Sequence, residues 1–375
     1  MDQKDFQREN PIFFLMKRSG HQLAELSSAF PGMSVEEITL MLIDNRYGLR
    51  RTVERFGYLA IRECKSDYFN IIKNGSRSNG SDTIPGDGCY QVHCYGGSTT
   101  LGANVADNQT ISAFLELQLR KKLKVNVFNF GAGNHTSLHS SLRLLDHALS
   151  GNAPDTAIFL NGLNDCAYAG GGADGITPFL DQLLANSQHS SGVDKRLGEF
   201  VDLIPRGDVI DPKKFKNDVS DEQLASNVRF RYGISVAIQN FVAKNFGVRI
   251  LRFIEPSPYL NCRPEQYLLP RISSGNIRFD YVKRLYNVIG NHGCSKVFGD
   301  SDFISIVDIG QYVFGPLYID ECHFSPEFNQ LIAKKIAMHV RNSRRTQFRK
   351  RKKIQSQELR GTLEEVTNPH NYPLF

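Results

Sequence analysis

The sequence predicts an α/β protein, a flavodoxin-like three-layer α/β/α sandwich around a five-stranded parallel sheet. Three observations carry this expectation. Short apolar runs alternate with helical stretches, strand then helix, from about residue 90 to residue 340. A central run, Thr156–Gly162 (TAIFLNG), is apolar on both faces, as expected of a strand covered by helices on either side. Five such runs suit the strand order 2-1-3-4-5 better than a six-stranded dinucleotide fold.

The elements follow in order. Ser34-Val35-Glu36-Glu37 forms a capping box, and Val35, Ile38, Met41 and Leu42 continue it at helical spacing. The segment 74–87, rich in Gly, Ser, Asn and Asp, is a loop leading into the core. Gln91–Gly96 is the first core strand. Asp107–Leu123 is a helix with Ile111, Phe114, Leu115 and Leu119 on one face. Lys124–Gly131 is the second strand, and Ser137–Leu149 a helix with Leu138, Leu142, Leu145 and Leu149 in register. After the third strand, a Gly- and Asp-rich insertion covers about 166–218. Ser220-Asp221-Glu222-Gln223 is a second capping box, opening a helix that Gly247 ends. Val248–Ile254 is the fourth strand, ending at Glu255-Pro256. A helix near Phe279–Ile289 precedes a fifth strand, Phe303–Ile309. Ser325-Pro326-Glu327 then supplies an N-cap, an N1 proline and an acidic first turn. Phe328, Leu331, Ile332, Ile336 and Val340 line the helix that follows.

Three regions result: a partly helical N-terminal extension (1–85), a core domain (86–343) carrying the insertion, and a basic C-terminal tail (344–375). The 375 residues are 41% hydrophobic, enough for a substantial core. Net charge is +6, and Arg341–Lys353 (RNSRRTQFRKRKK) carries much of the excess. That run is expected to be a solvated helix end, with weak contact to anionic surfaces as the functional alternative. No nucleic-acid partner is expected. Seven cysteines at irregular spacing suggest neither a disulfide framework nor a zinc site, so a reducing compartment and no metal are expected. The N-terminal apolar run, Ile12–Met16, is too short for a signal-peptide core or a membrane span, so a cytoplasmic location is expected. No G-x-G-x-x-G follows the first strand and no phosphate loop is present, which excludes both nucleotide readings.

Four strand ends carry polar motifs, and in a parallel sheet such ends emerge along one edge. The first strand runs into Gly96-Gly97-Ser98-Thr99-Thr100, the second into Asn129-Phe130-Gly131-Ala132-Gly133-Asn134, and the third into Gly162-Leu163-Asn164-Asp165. The fifth precedes Asp320-Glu321-Cys322-His323. A serine needs a base to take its proton, and the base needs a third group to orient it. Ser98, His323 and Asp320 can fill these roles. The plainer alternative is a glycine-rich turn and an unrelated surface Asp–His pair.

In the order of these blocks, GGSTTLG, NFGAGN, GLND and DECH, the sequence resembles the SGNH/GDSL hydrolase family over about residues 89–342. It is most similar to bacterial members with a Gly-Gly-Ser-Thr-Thr nucleophile block. The resemblance implies the SGNH form of the flavodoxin-like fold and an esterase or acyl-transfer activity without metal or cofactor. It also implies Ser98 as nucleophile, His323 as base and Asp320 as its orienting acid. The oxyanion would be held by Ser98 N–H, the Asn164 amide and a backbone N–H at Asn134. Two positions depart from the family pattern. Gly97 stands where an aspartate usually precedes the serine. Asn134 stands where a glycine usually donates its N–H, unless that glycine has shifted to Gly133. An α/β-hydrolase elbow, G-x-S-x-G, would need glycine where Thr100 stands.

Asp165 is expected to brace a loop. His135 and His139 are expected either to line the cleft or to be ordinary exposed residues at a helix start. Cys94 and Cys166 are expected in or near the core. The leading function is hydrolysis of an O-acyl group on a carbohydrate or of a small acyl ester. Its alternatives are acyl transfer on the same residues and a non-catalytic scaffold that keeps the fold.

Overall fold

The computed structural model describes residues 26–49, 51–54, 58–81, 88–171, 219–260, 262–263, 266, 277–300 and 302–341. Most of the insertion and the basic tail lie outside the described residues.

Helix α1 (Val35–Tyr47) starts at Ser34, and both halves of its capping box are made. Ile38, Met41 and Leu42 are buried, whereas Val35 faces solvent. A small antiparallel pair, β1 (Arg51–Val53) and β2 (Leu59–Ile61), follows. The core then runs β3 (Tyr90–Gly96), α2 (Ser98–Leu101), α3 (Ile111–Arg120), β4 (Val125–Asn129), α4 (Ser137–Leu149), β5 (Thr156–Asn161) and α5 (Leu163–Ala167). It continues with α6 (Asp221–Phe246), β6 (Arg249–Ile254), α7 (Ile277–His292), α8 (Ser295–Phe298), β7 (Ile304–Ser305) and α9 (326–341).

The five core strands form one sheet in the order β4-β3-β5-β6-β7, with every pair parallel. In core-strand numbers this is 2-1-3-4-5, as expected. The pleat divides each strand between two layers. Val92, Cys94, Ile158, Leu160 and Phe253 pack with Ile111, Leu115 and Leu119 of α3 and Ile332, Ile336 and Val340 of α9. Tyr95, Ala157 and Phe159 point the other way, onto Leu144 and Ala148 of α4 and Val242 of α6.

Three local expectations change. The fifth strand is only Ile304–Ser305. After it the chain turns, with Ile309 N–H donating to Ile306 O, so the apolar run from Phe303 to Ile309 feeds the core and not a long ladder. On α4 the leucine row is only partly buried: Leu138 is buried and Leu145 half-buried, but Leu149 is exposed, and the buried face also takes in Ser137, Ser140, Ser141, Leu144 and Ala148. Small hydroxyls let α6 approach closely there: Ser137 Oγ lies 2.9 Å from Ser235 Oγ, and Gln239 Nε2 donates to Ser141 Oγ. At the start of α6, Ser220 caps Gln223 N–H, but the Gln223 amide turns to Asn227 and does not close the box.

The segment preceding the sheet is stitched to it. Arg77, buried, donates to Asp107 Oδ1 at 2.9 Å, to Leu101 O and Val105 O, and, in a short contact, to Gly102 O. Arg77 N–H also donates to Asn129 O. Leu26, Ala29, Phe30, Ile38, Met41 and Leu42 form one apolar cluster with Val105, Ala106 and Ile319.

Candidate active site

Ser98 is the first residue of α2, directly after β3 ends. It is half-buried, whereas its neighbours Thr99 and Thr100 are buried. The short helix is clamped from below. Asn129, at the end of β4, donates its amide to Thr100 O at 2.9 Å. Gly131 passes so close that a Cβ there would meet Leu101 N at 2.2 Å, which explains a glycine where β4 runs out.

Asn164 occupies the first turn of α5, after β5. Its Nδ2 donates to His135 O at 2.9 Å and sits against Gly97. A Cβ on Gly97 would come within 2.5 Å of that nitrogen. The glycine at position 97 therefore leaves room for the Asn164 amide beside Ser98. Asn134 has φ +65°, in a turn closed by His135 N–H on Ala132 O. That left-handed conformation favours glycine, and asparagine tolerates it better than most residues. Asn134 thus holds a backbone conformation that glycine favours.

Asp320 and His323 form the expected pair: His323 Nδ1 lies 2.6 Å from Asp320 Oδ2. Asp320 Oδ1 accepts from the N–H groups of Cys322 and His323, so one short turn builds both partners. Burial opposes ionisation of Asp320, but the His323 charge and these donors hold it well below the usual carboxylate range. Burial likewise opposes charging His323; Asp320, first among the opposing influences, raises it well above its ordinary value. The pair is docked on the segment that carries the serine, for Asn104 Nδ2 donates to Asp320 Oδ2 at 2.8 Å. Among the described residues no hydrogen bond joins Ser98 Oγ to His323. Contacts of this kind often close only around substrate.

Glu255 was not singled out by the sequence beyond marking the end of a strand. It is buried at the tip of β6, where Oε2 accepts from Thr99 Oγ1 at 2.6 Å and Oε1 from Leu163 N–H at 3.0 Å. It thereby links the residue after Ser98 to the residue before Asn164. Burial pushes its carboxyl up to about 7, against the hydrogen bonds from Thr99 and Leu163 that draw it down. A carboxylate at the carboxyl end of a core strand was the available signal.

His135 and His139 are both buried, which removes the exposed alternative. Their rings stack at 5.4 Å, and His139 Nδ1 closes the N-terminal cap of α4 on Thr136. Burial lowers His139 to about 4. Asp165 is buried and braces α4, accepting from Ser137 N–H and Oγ. Cys94 and Cys166 are core thiols, and all seven cysteines are free. Cys322 lies 3.7 and 3.8 Å from the two His323 ring nitrogens. Asp320, Cys322 and His323 are also close enough together to be considered as metal ligands, but Asp320 Oδ2 is already shared by His323 Nδ1 and Asn104.

Polar groups from the ends of β3, β4, β5 and β6, and from the turn after β7, thus lie on one edge of a parallel 2-1-3-4-5 sheet. This is the flavodoxin-like α/β/α fold. No protein-family profile and no curated protein matches the sequence. Solved structures do match. The acetyl xylan esterase AlAXEase shares 15% identity at a TM-score of 0.36, over 67% of this chain and 99% of that one. A lipase/acylhydrolase from Enterococcus faecalis shares 13% at 0.35, over 68% and 96%. The acetylxylan esterase Axe2 from Geobacillus stearothermophilus shares 12% at 0.34, over 68% and 95%. The fold assignment rests on the strand order and the placement of the motifs. No helix among the described residues is long and apolar enough to cross a membrane.

Proposed function

We propose that this chain is a serine esterase that cleaves carboxylic esters through Ser98, His323 and Asp320. O-acyl groups on carbohydrate or small acyl esters are its substrate class. The observation that supports the reading most is the 2.6 Å Asp320–His323 pair tied through Asn104 to the segment that begins at Ser98. With Nδ1 engaged by Asp320, Nε2 is the ring nitrogen left to take the serine proton. Ser98 Oγ attacks the acyl carbonyl as its proton passes to Nε2. The carbonyl π-electrons move to oxygen. Collapse of the tetrahedral intermediate expels the alcohol, which leaves with the proton from His323, and the acyl group remains on Ser98. Water then attacks, its proton going to His323, and the acid is released with Ser98 Oγ reprotonated.

The intermediate's oxygen needs donors already in place. Ser98 N–H is a first-turn helix N–H, which has no acceptor within its own helix. Asn164 Nδ2 has a second hydrogen to offer beyond the one on His135 O. Asn134 N–H, on the left-handed turn, is the third donor. Because the base must be neutral, activity rises with pH through a midpoint above 6.5, the direction in which Asp320 moves His323.

The test is labelling with a fluorophosphonate probe, followed by peptide mapping, together with ester hydrolysis by Ser98→Ala. Label on the Ser98 peptide and loss of nearly all turnover are expected. Wild-type turnover in a folded Ser98→Ala protein would overturn the assignment. A panel of acyl esters and acetylated glycans then separates the substrate classes.

A further inference from the structure

Asp320 is an unusually well-held carboxylate. Oδ1 accepts two backbone N–H groups, and Oδ2 is shared between His323 Nδ1 at 2.6 Å and Asn104 Nδ2 at 2.8 Å. Asn104 reaches it from a strained backbone, φ +68°, one of two non-glycine residues in the left-handed region among those described. Something must hold that conformation, since strain of this kind persists only where the surroundings over-determine it. The holder is Asn45 on α1. Its Oδ1 accepts Asn104 N–H at 3.2 Å, while its Nδ2 donates to Val105 O at 3.0 Å and Met41 O at 2.9 Å. Asn45 is itself buried. The same helix packs Ile38, Met41 and Leu42 around Val105 and around Ile319, the residue before Asp320.

We propose that Asn104 is a positioning residue for the Asp320–His323 pair, and that α1, through Asn45, sets its geometry. The N-terminal region would then be a working part of the active site. The inference rests on the esterase reading for its catalytic consequence, though not for its effect on the imidazole. Asn104 and His323 Nδ1 draw on the same carboxylate oxygen. Taking away the amide leaves the imidazole as the only side-chain donor there, so the charged pair tightens and His323 becomes harder to deprotonate. Orientation also loosens, because Asp320 loses its one side-chain anchor outside its own turn. The other titratable groups around the ring are Cys322 on the same turn, Glu321 beside it and Glu255 from the end of β6. None of them is altered by a change at Asn104.

The experiment compares Asn104→Gly, Asn104→Ala and Asn45→Leu in the full chain. Glycine adopts φ +68° without strain, so Asn104→Gly removes the amide and leaves the backbone at ease. Asn104→Ala removes the amide and adds strain. The first readout is the His323 ring titration by NMR in the resting protein, assigned with His323→Gln. The second is kcat, KM and the pH profile on p-nitrophenyl acetate. For Asn104→Gly we expect a His323 midpoint raised by roughly half a pH unit, kcat about tenfold lower and KM unchanged. Asn45→Leu should move the His323 midpoint the same way from outside the site. An unmoved midpoint in a folded Asn104→Gly protein overturns the proposal, whether or not kcat falls, because a merely structural role would not reach the imidazole. A shifted midpoint in a protein that hydrolyses no ester would uphold the positioning role and refute the esterase reading instead.

Discussion

Replacing Glu255 by glutamine should make the protein more stable at high pH and leave it almost unchanged in acid. The side chain is 2% exposed, and burial lifts its carboxyl from 4.5 to about 7. A folded-state pKa above the unfolded value means that the fold holds this proton more tightly than the unfolded chain does. The associated stability is therefore present below pH 4.5 and is lost as pH rises through 7. Ionised Glu255 makes the fold about 3 kcal/mol less stable than it would be with the group kept neutral. Glutamine keeps the shape and both contacts: its carbonyl can accept Leu163 N–H, and its amide can donate to Thr99 Oγ1, where the carboxylate now accepts. Urea unfolding of wild type and Glu255→Gln at pH 5 and pH 8 measures the difference. We expect the variant's advantage to grow from under ~1 kcal/mol at pH 5 to about 3 kcal/mol at pH 8. A difference that does not change with pH would refute the reasoning, since it would show that Glu255 titrates alike in both states. Glu255→Ala is the contrasting case. It strands two buried donors at about 1–3 kcal/mol each and should destabilise at both pH values.

Other outcomes follow from the same geometry. Gly97→Ala would push a methyl group against Asn164 Nδ2, and kcat should fall about 10- to 100-fold with little change in KM or melting temperature. Asn164→Ala should lower kcat about 100- to 1000-fold and leave the pH midpoint in place; a weaker KM at normal kcat would assign the amide to ground-state binding. His139 and His147 are lowered, mainly by burial, to about 4 and about 3, so both are neutral in the fold. Each contributes stability that is whole above pH 6.5 and declines by up to about 1.4 kcal/mol per pH unit toward its folded value. His147→Gln should flatten that decline, as read from melting temperatures between pH 7 and pH 4.

How much of this was legible beforehand depended on whether a residue's role is local. Strand β5 is buried along its whole length, and its apolar run announced that. Helix α4 begins and ends where its spacing placed it, yet its leucine row is only part of its buried face, because the serines that meet α6 are indistinguishable in sequence from surface serines. The fifth strand was overread because only Ile306 N–H still reaches β6, at Ile254 O, before the chain turns, and the Ile306 side chain is core filling at 1% exposure. The serine and the asparagine block each sit directly after a strand, and the Asp-x-x-His turn holds its two partners three residues apart, so their sequence neighbourhood located them. Asn104 and Glu255 act on partners 216 and 156 residues away, which no spacing within a motif can report. Asn45 is further removed still, since its effect passes through Asn104.

The parallel layout also bears on how the protein acquires activity. Each strand end contributes one fragment of the site, and parallel neighbours are joined only through long crossovers, so the contacts that bring those fragments together, unlike the Asp320–His323 pair itself, are distant in the chain. Forming them means closing large loops first, which slows folding in high-contact-order topologies. Ser98 follows β3 and the acid–imidazole turn follows β7, with β5 and β6 between those two strands in the sheet. Helices such as α4 and α6 can form while that assembly is still incomplete. A partly refolded chain with most of its helix content is therefore expected to lack the proposed site, which ester hydrolysis followed during refolding would check.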